Sequence, residues 1–598
     1  MNLRDQFLRG EYGQIVQEFE RLNVDGTKLK KRELPWVAAS LALMGRVSDA
    51  FELGERSDPV ARFYVITALI RSSDYQRARR EIGEFLKASS DRDPVWRFYV
   101  FQCLGFHAFF EGRFKKSLYW SQRAWSLAIK EMGLHERVLS ADLRGHCLIQ
   151  MGDVEAGLES LESALEVAKR FGNQSHVRAL RAAIAIAEVQ NGYRRDGSLR
   201  ELLEDSLQSD SYTAANVLIE LVRQANLRGH YREAIKIVSE TRPLIKRVRH
   251  KRQAASLAVR EAYSHFRLGD SKRAISILDS AEVKLDSRDR AVLVEVKGLK
   301  LQILRAQAGA SAKESEGRRR PIEKQIAKLQ SEVSLLAHEV RNHRSLSFLR
   351  RFSGDVIESP AATPIDRWIQ GSTDYHIRKE LFDRGYLDFF NSLFESDQPD
   401  ALLLAVVAGK VLVRTRSELS AIEDGFSSNL RRGLLILASD RRTKEEILRL
   451  VWGYGYDPTR HDNLIYTFIR RLRVALGPLG SLLTFSADDG TYGFSRPVSV
   501  KVLDYEDESV VVDDLPITPS FEKELLKWNP RQLEILAKLR SSRRDGQPLT
   551  SQIVKPKDLI EAYQVSRITA GRDLAELTDG GILIRVGRGR GTGYILKS

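Results

Sequence analysis

Residues 463–478 read NLIYTFIRRLRVALGP, and what the three arginines of this stretch are for decides how the chain is read. Leu464, Phe468, Leu472 and Leu476 recur at every fourth position, with Ile465 and Ile469 beside them. That spacing lays an apolar stripe along an α-helix. Arg470, Arg471 and Arg473 fall mostly off the stripe. They form either a solvated basic face or the reading side of a helix laid in the major groove of DNA. The flanking sequence discriminates.

Immediately before comes TKEEILRLVWGYGYDPTRHD, residues 443–462. Thr443 is placed to cap a helix, Glu446 returns at the third helical position, and Ile447, Leu448 and Val451 give the apolar face. A turn rich in Gly, Tyr, Asp and Pro follows, then the basic helix, then LLTFSADDGTYGFS, whose alternation and central turn predict a hairpin. Helix, turn, helix, hairpin is the order of a winged helix-turn-helix. KEEILRLVWGYGYDP, FIRRLRVALGP and GTYGFS resemble the blocks of the OmpR/PhoB-type DNA-binding domain, in its order and spacing. The resemblance runs from about residue 400, where ALLLAVVAGKVLV would supply the family's leading antiparallel strands, to about 497. It implies that the basic helix is the recognition helix, with Thr467, Arg470, Arg471 and Arg473 facing groove or phosphate and Ile465, Ile469, Leu472 and Leu476 buried. Two positions depart from the family pattern. Phe468 stands where a polar residue, often His, is usual, and the wing reads SADDG, with Asp488 and Asp489 in place of an arginine. Carboxylates beside phosphates cost affinity, so a protein-contact module stays open as the alternative.

A second such order closes the chain. NPRQLEILAKL from 529 opens a helix after Asn-Pro. KPKDLIEAYQVSRITAGRDLAELTDGGILIRVGRGRGTGYIL then predicts helix, turn, helix and hairpin. Ser566 caps the second helix, Ile568, Leu574 and Leu577 are expected inward, and Arg567, Thr569 and Arg572 outward near the N-terminal half, the part that reads base edges. Gly580 and Gly581 stop it. VSRITAGRDLAELTDGGIL resembles the DeoR-like winged helix of bacterial repressors and of several bacterial multidomain proteins. Its wing is basic: Arg585, Arg588 and Arg590 alternate with glycines that let the backbone approach a phosphate or the minor groove.

The first half has another rhythm. A small residue is followed five positions later by another in GRVSDA at 45, GRFKKS at 112, GDVEAG at 152, GHYREA at 229 and GDSKRA at 269, which predicts turns inside helical pairs. The stretches from 105 and 145 align without a gap, placing Gly112 on Gly152, Leu118 on Leu158 and Ala124 on Ala164, and Gly192 continues the forty-residue step. This resembles tetratricopeptide-like repeats, with a step longer than the usual one of about 34 residues. Stacked pairs of this kind give a concave surface that commonly takes a protein or peptide, the alternative being a spacer with no ligand.

AQAGASAKESEGRRRP then reads as a basic linker. Beyond it Ile322, Ile326, Leu329, Val333, Leu336 and Val340 alternate four and three apart, a heptad seam that either pairs two copies of the chain or packs on the last repeats. LLAHEVRNHRS, residues 335–345, looks like the phospho-acceptor box of sensor histidine kinases, with His338 as acceptor. The boxes of an ATP-binding domain are missing downstream, so His338 reads as a helix-surface residue. His338 and His343 are not at zinc-protease spacing, and no P-loop, nucleophile elbow or paired-cysteine zinc pattern occurs.

The 598 residues exceed one core, and Lys+Arg 95 against Asp+Glu 80 gives +15, a modest pointer to a polyanion. Only two cysteines occur, Cys103 and Cys147, both inside apolar helical patterns, which argues against a disulfide framework and a thiolate metal site. The start MNLRDQFLRGEYGQIV lacks an apolar h-region and the longest apolar run carries Lys410, so a cytoplasmic protein with no membrane contact is expected. The expected fold is mainly α: helical repeats over 1–308, a linker and heptad helix over 309–350, a connecting helical segment over 351–399, winged helices over 400–500 and 521–598, and a linker at 501–520. The expected function is a DNA-binding transcriptional regulator, not an enzyme, with no cofactor, no metal and no catalytic residue. Its expected partners are double-stranded DNA, a protein or peptide on the repeats, and a second copy through 322–340. The alternative is a scaffold whose winged helices mainly contact protein.

Overall fold

Glycines in the left-handed region set the turns of the first half. Gly45, Gly112, Gly152, Gly229 and Gly269 have φ of +80°, +79°, +95°, +80° and +89°, a conformation that side chains with a Cβ disfavour. The computed structural model describes residues 2–25, 29–53, 58–88, 93–191, 197–207, 211–248, 250–310, 316–340, 375–394, 402–407, 410–414, 419–422, 427–502, 528–544, 553–587 and 592–597. These are mainly helical with a few small sheets, and the chain divides into two units, Met1–Thr373 and Asp374–Ser598.

In the first unit the helices are α1 (Leu3–Arg9), α2 (Tyr12–Val24), α3 (Leu34–Leu43), α4 (Val47–Glu52), α5 (Pro59–Arg71), α6 (Tyr75–Ala88), α7 (Pro94–Phe110), α8 (Phe114–Glu131), α9 (Leu134–Met151), α10 (Val154–Phe171), α11 (Gln174–Asn191), α12 (Gly197–Leu207), α13 (Ser211–Leu227), α14 (Tyr231–Val248), α15 (Lys251–Arg267), α16 (Ser271–Glu282), α17 (Arg290–Ala310) and α18 (Glu316–Val340). Neighbours in sequence pack as neighbours in space. The small residue five places after each turn glycine is buried at the crossing: Ala50, Ser117, Ala234 and Ala274 are at most 2% exposed. At the Gly152 turn, a Cβ on Gly157 would sit 2.9 Å from the Gly145 carbonyl oxygen, so α9 and α10 touch backbone to backbone.

Helices remote in sequence also close on one another. The Tyr75 hydroxyl donates to Asp289, 2.6 Å away and fully buried ahead of α17. Arg252 lies 3.4 Å from the same carboxylate with its guanidinium over the Phe110 ring. Asn173 donates to the Leu8 carbonyl oxygen. The inward side chains of these helices are therefore engaged in part by the chain itself.

The expected linker is mostly helix, since α17 extends to Ala310 and α18 begins at Glu316 with Pro321 inside it. The second half of the heptad seam is used within the chain. Val333, Ala337 and Val340 are buried with Phe114 of α8 and Val294 of α17, and Leu329 and Leu336 pack beside them. Ile322 and Ile326 are half-buried and His338 is exposed.

The second unit begins with α19 (Tyr375–Asp383) and a 3-10 helix (Leu387–Phe394), both within the expected connecting segment, and a sheet of β1 (Leu402–Val407), β2 (Lys410–Arg414) and β3 (Leu419–Ile422). These pair antiparallel, and β7 (Val498–Val502) returns parallel to β1, giving the order β3-β2-β1-β7. Between them lie α20 (Ser428–Ser439), β4 (Arg442–Thr443), α21 (Lys444–Trp452), α22 (Pro458–Ala475), β5 (Leu483–Ser486) and β6 (Thr491–Phe494). The chain ends in α23 (Pro530–Arg544), α24 (Pro556–Tyr563), α25 (Arg567–Asp579), β8 (Leu583–Val586) and β9 (Gly593–Leu596). Two separate cores form, one over β2 and α20 to β7 and one over α23 to β9.

Candidate nucleic-acid interface

Local capping fixes the two helices that precede and carry the arginines. The Thr443 hydroxyl accepts from the Glu446 N–H at 3.2 Å and the Glu446 carboxylate accepts from the Thr443 N–H at 2.9 Å, a reciprocal cap for α21. Asp457 caps α22 by accepting from the Thr459 N–H at 3.0 Å, with Pro458 in the first turn. Ile465, Phe468, Ile469, Leu472 and Leu476 form the buried side of α22. Leu464, expected on that stripe, is 38% exposed, because it lies about 100° around the helix from Ile465.

Phe468 belongs to the core rather than to the outer face. Its ring packs 4.8 Å from Trp452, edge to face, and a Cβ on Gly433 would lie 2.1 Å from its Cζ. A bulky residue at 468 is thus matched by the notch at Gly433 in α20.

Thr467, Arg470 and Arg471 point outward. Neither Arg470 nor Arg471 has an ion-pair partner among the described residues. Arg473 is exposed too, but its Nε donates to the Leu483 carbonyl oxygen at 3.0 Å and ties α22 to β5. Beside this face Lys444 donates to Asp462 at 2.8 Å and to the Tyr466 hydroxyl at 3.1 Å, and these hydrogen bonds raise its pKa.

The β5–β6 hairpin explains one of its two acids. The Asp489 carboxylate accepts from the Thr491 N–H at 3.2 Å and its hydroxyl at 2.7 Å, closing the turn. Hydrogen bonds from Ser486 and Thr491 hold its pKa down to about 2. Arg441 braces the same turn by donating to the Thr491 hydroxyl and carbonyl oxygens, each at 3.0 Å.

In the C-terminal part, Ser566 caps α25 by accepting from the Thr569 N–H at 3.1 Å, and the Thr569 hydroxyl stays 2.9 Å from the Ser566 hydroxyl. Ala570, Asp573, Leu574 and Leu577 are the buried side. Ile568 was expected inward with Leu574 and Leu577, yet it is 76% exposed, and Ala570 takes the inward position of that turn. Six residues separate 568 from 574, which puts them about 120° apart on a helix. The outer face of α25 is therefore led by Ile568, with Arg572 one turn on and Arg567 at its edge. Arg567 and Arg572 have no ion-pair partner among the described residues. Arg585 is exposed on β8, 3.4 Å from the Thr592 hydroxyl. Arg588 and Arg590 lie outside the described residues.

Sequence reasoning passed over Arg460, whose side chain is 82% exposed in the first turn of α22, and Arg496, exposed just after β6. Neither sits in a periodic pattern, so nothing in the sequence marked them.

No helix is long and apolar enough to cross a membrane, and no group of three or more His, Cys, Asp and Glu could hold a metal ion, both among the described residues. Cys103 and Cys147 are buried free thiols, and burial pushes Cys147 up to about 12. The chain matches no family model and no curated protein.

Proposed function

We propose that this chain is a cytoplasmic DNA-binding transcriptional regulator without catalytic activity. Its first unit is a TPR-like α-solenoid serving as a sensor or protein-docking arm. Residues 400–500 and 521–598 are winged helices of the OmpR/PhoB and DeoR-like types that read double-stranded DNA. One observation carries the reading, the sorting of the arginines in the second unit. Arg432, Arg441, Arg473 and Arg531 are tied down by hydrogen bonds within the fold. Arg470, Arg471, Arg567 and Arg572 stand outward on α22 and α25 without a carboxylate partner among the described residues, as phosphate and base contacts require. Anisotropy titration of duplex DNA against salt tests it. Four phosphate contacts give a log–log slope of roughly −4, and a flat salt dependence would overturn the reading.

A second reading has its own observation. Tyr466 and Val474 are large exposed apolar side chains on α22, and Phe485 is another on β5, the strand that leads into the acidic Asp488–Asp489 turn. That combination suits a protein partner, as in a scaffold. Loss of DNA binding on removing residues 521–598, with none lost on changing Arg470 and Arg471 to Ala, would favour it for the middle domain.

A further inference from the structure

The two DNA-reading modules of the second unit are joined by more than the chain between them. Arg531, in the first turn of α23, is the centre of the junction, with a side chain 11% exposed. Its Nη2 donates to the Gly453 carbonyl oxygen at 2.8 Å and its Nη1 to the Trp452 carbonyl oxygen at 3.4 Å, both at the end of α21 in the other module. Its Nε donates to Asp573 of α25 at 2.9 Å, a carboxylate 3% exposed that also accepts from Asn529 at 2.8 Å. Gly453 is left-handed, φ +72°, and a Cβ there would lie 2.5 Å from Nη1 of Arg531, so the seat has no spare room. A second guanidinium crosses in the opposite sense: Arg432, buried in α20, donates to the carbonyl oxygens of Leu450 and Trp528. At the rim Arg449 of α21 faces Glu576 of α25 at 3.7 Å.

A buried guanidinium is stable only where its donors are met, and here each of these two is met by groups of both modules or by carbonyls that the other module supplies. Separating the modules would leave buried carbonyls and the Asp573 carboxylate short of partners. Arg531 also links this junction to the reading side, because it bonds Asp573 on the inner face of the helix whose outer face carries Ile568 and Arg572. A Cβ on Gly455, in the α21–α22 turn, would lie 3.6 Å from Nη1 of Arg572.

We propose that the two modules read double-stranded DNA as one body, with Arg531 as the positioning residue that fixes α25 against the end of α21. The ligand is a single composite duplex site of two unlike elements at one separation. The inference rests on the DNA-binding reading above. Its chemistry is distinct from tandem readers joined by chain alone, whose second contact weakens only gradually as the separation grows. A fixed body does not adapt: each inserted base pair moves one element by about 3.4 Å and turns it by about 35°.

The experiment uses the full chain and a duplex enriched by it from random sequence, then a series with one to ten base pairs inserted between the two protected elements. The wild type is expected to lose at least tenfold in affinity on the first or second insertion and to stay weak at ten. Arg531→Ala is expected to bind the parent duplex several-fold more weakly and to lose less than about threefold on the same insertions. Gly453→Ala, which crowds the guanidinium from the other module, should give the same flattened profile and covers the case in which Arg531→Ala does not fold. A wild-type profile already flat, or a steep profile kept by both variants, overturns the coupling while leaving DNA reading intact. No enriched duplex at all overturns the DNA reading itself and the proposal with it.

Discussion

Nε of Arg473 lies 3.0 Å from the carbonyl oxygen of Leu483, whereas Arg470, three residues earlier on the same helix, has no hydrogen-bond or ion-pair partner among the described residues. Two arginines that look alike in sequence therefore do different work. Arg473→Ala should lower the unfolding midpoint of the second unit, by about 1 kcal/mol or less because the side chain is partly solvated. Arg470→Ala and Arg471→Ala should leave that midpoint in place and each lower the salt slope of DNA binding by about one. Chemical denaturation and anisotropy titration of the three variants check this. An equal loss of stability at all three positions would remove the distinction.

On α25 the contrast is between Ile568 and Leu574. Leu574 is fully buried, so Leu574→Ala should cost about 2–5 kcal/mol. Ile568→Ser should shift stability by less than about 0.5 kcal/mol, since its side chain is already in water. If Ile568 meets a thymine methyl group, replacing thymine by deoxyuridine in the bound duplex weakens the wild type and leaves Ile568→Ser unaffected. Equal sensitivity of both proteins would assign Ile568 no part in reading.

What the sequence made legible was local. Thr443 with Glu446 and Ser566 with Thr569 are caps spanning three residues, and the turn glycines from Gly45 to Gly269 carry their conformation in their own identity. Periodicity locates the buried sides of α22 and α25 but blurs their edges, where Leu464 and Ile568 lie. Arg531 and Gly453 are 78 residues apart and belong to no periodic pattern, so their contact was invisible until both helices were in place. The same is true of Tyr75 and Asp289. Sequence spacing reports which face a residue shares with its neighbours; it does not report what a second element brings to that face.

His135 provides a pH prediction in the first unit. It is 4% exposed, its Nε2 lies 3.0 Å from the Tyr64 hydroxyl, and burial holds its pKa down to about 4. Unfolded, it titrates near 6.5. As pH falls below about 6.5 the unfolded chain takes up a proton that the folded chain refuses until about pH 4, so the stability present above 6.5 is lost across that window. The loss attributable to this one group is roughly 3 kcal/mol. His135→Phe keeps an aromatic ring but cannot be protonated, so its stability should fall less steeply between pH 6.5 and 4 than that of the wild type. Parallel profiles from urea denaturation would place the acid sensitivity elsewhere.

The last prediction concerns α18. Its seam residues Val333 and Val340, with Ala337 beside them, are buried against Phe114 and Val294 of the same chain, and Arg290 bonds Glu339 while Lys297 and Glu332 form an ion pair. A chain ending at residue 345 should therefore fold alone as an all-helical unit, because stacked helical pairs are stabilised by their neighbours. Ending at 310 should weaken it by a few kcal/mol, since each buried valine contributes roughly 1.5–3 kcal/mol and Phe114 is uncovered. With the seam occupied from within, the 1–345 chain should scatter light as a monomer. A dimer for 1–345 that becomes a monomer for 1–310 would mean that α18 leaves Phe114 to pair with a second copy. In that case Val333→Asp should abolish the dimer and leave the helical content of the monomer close to that of the 1–310 chain.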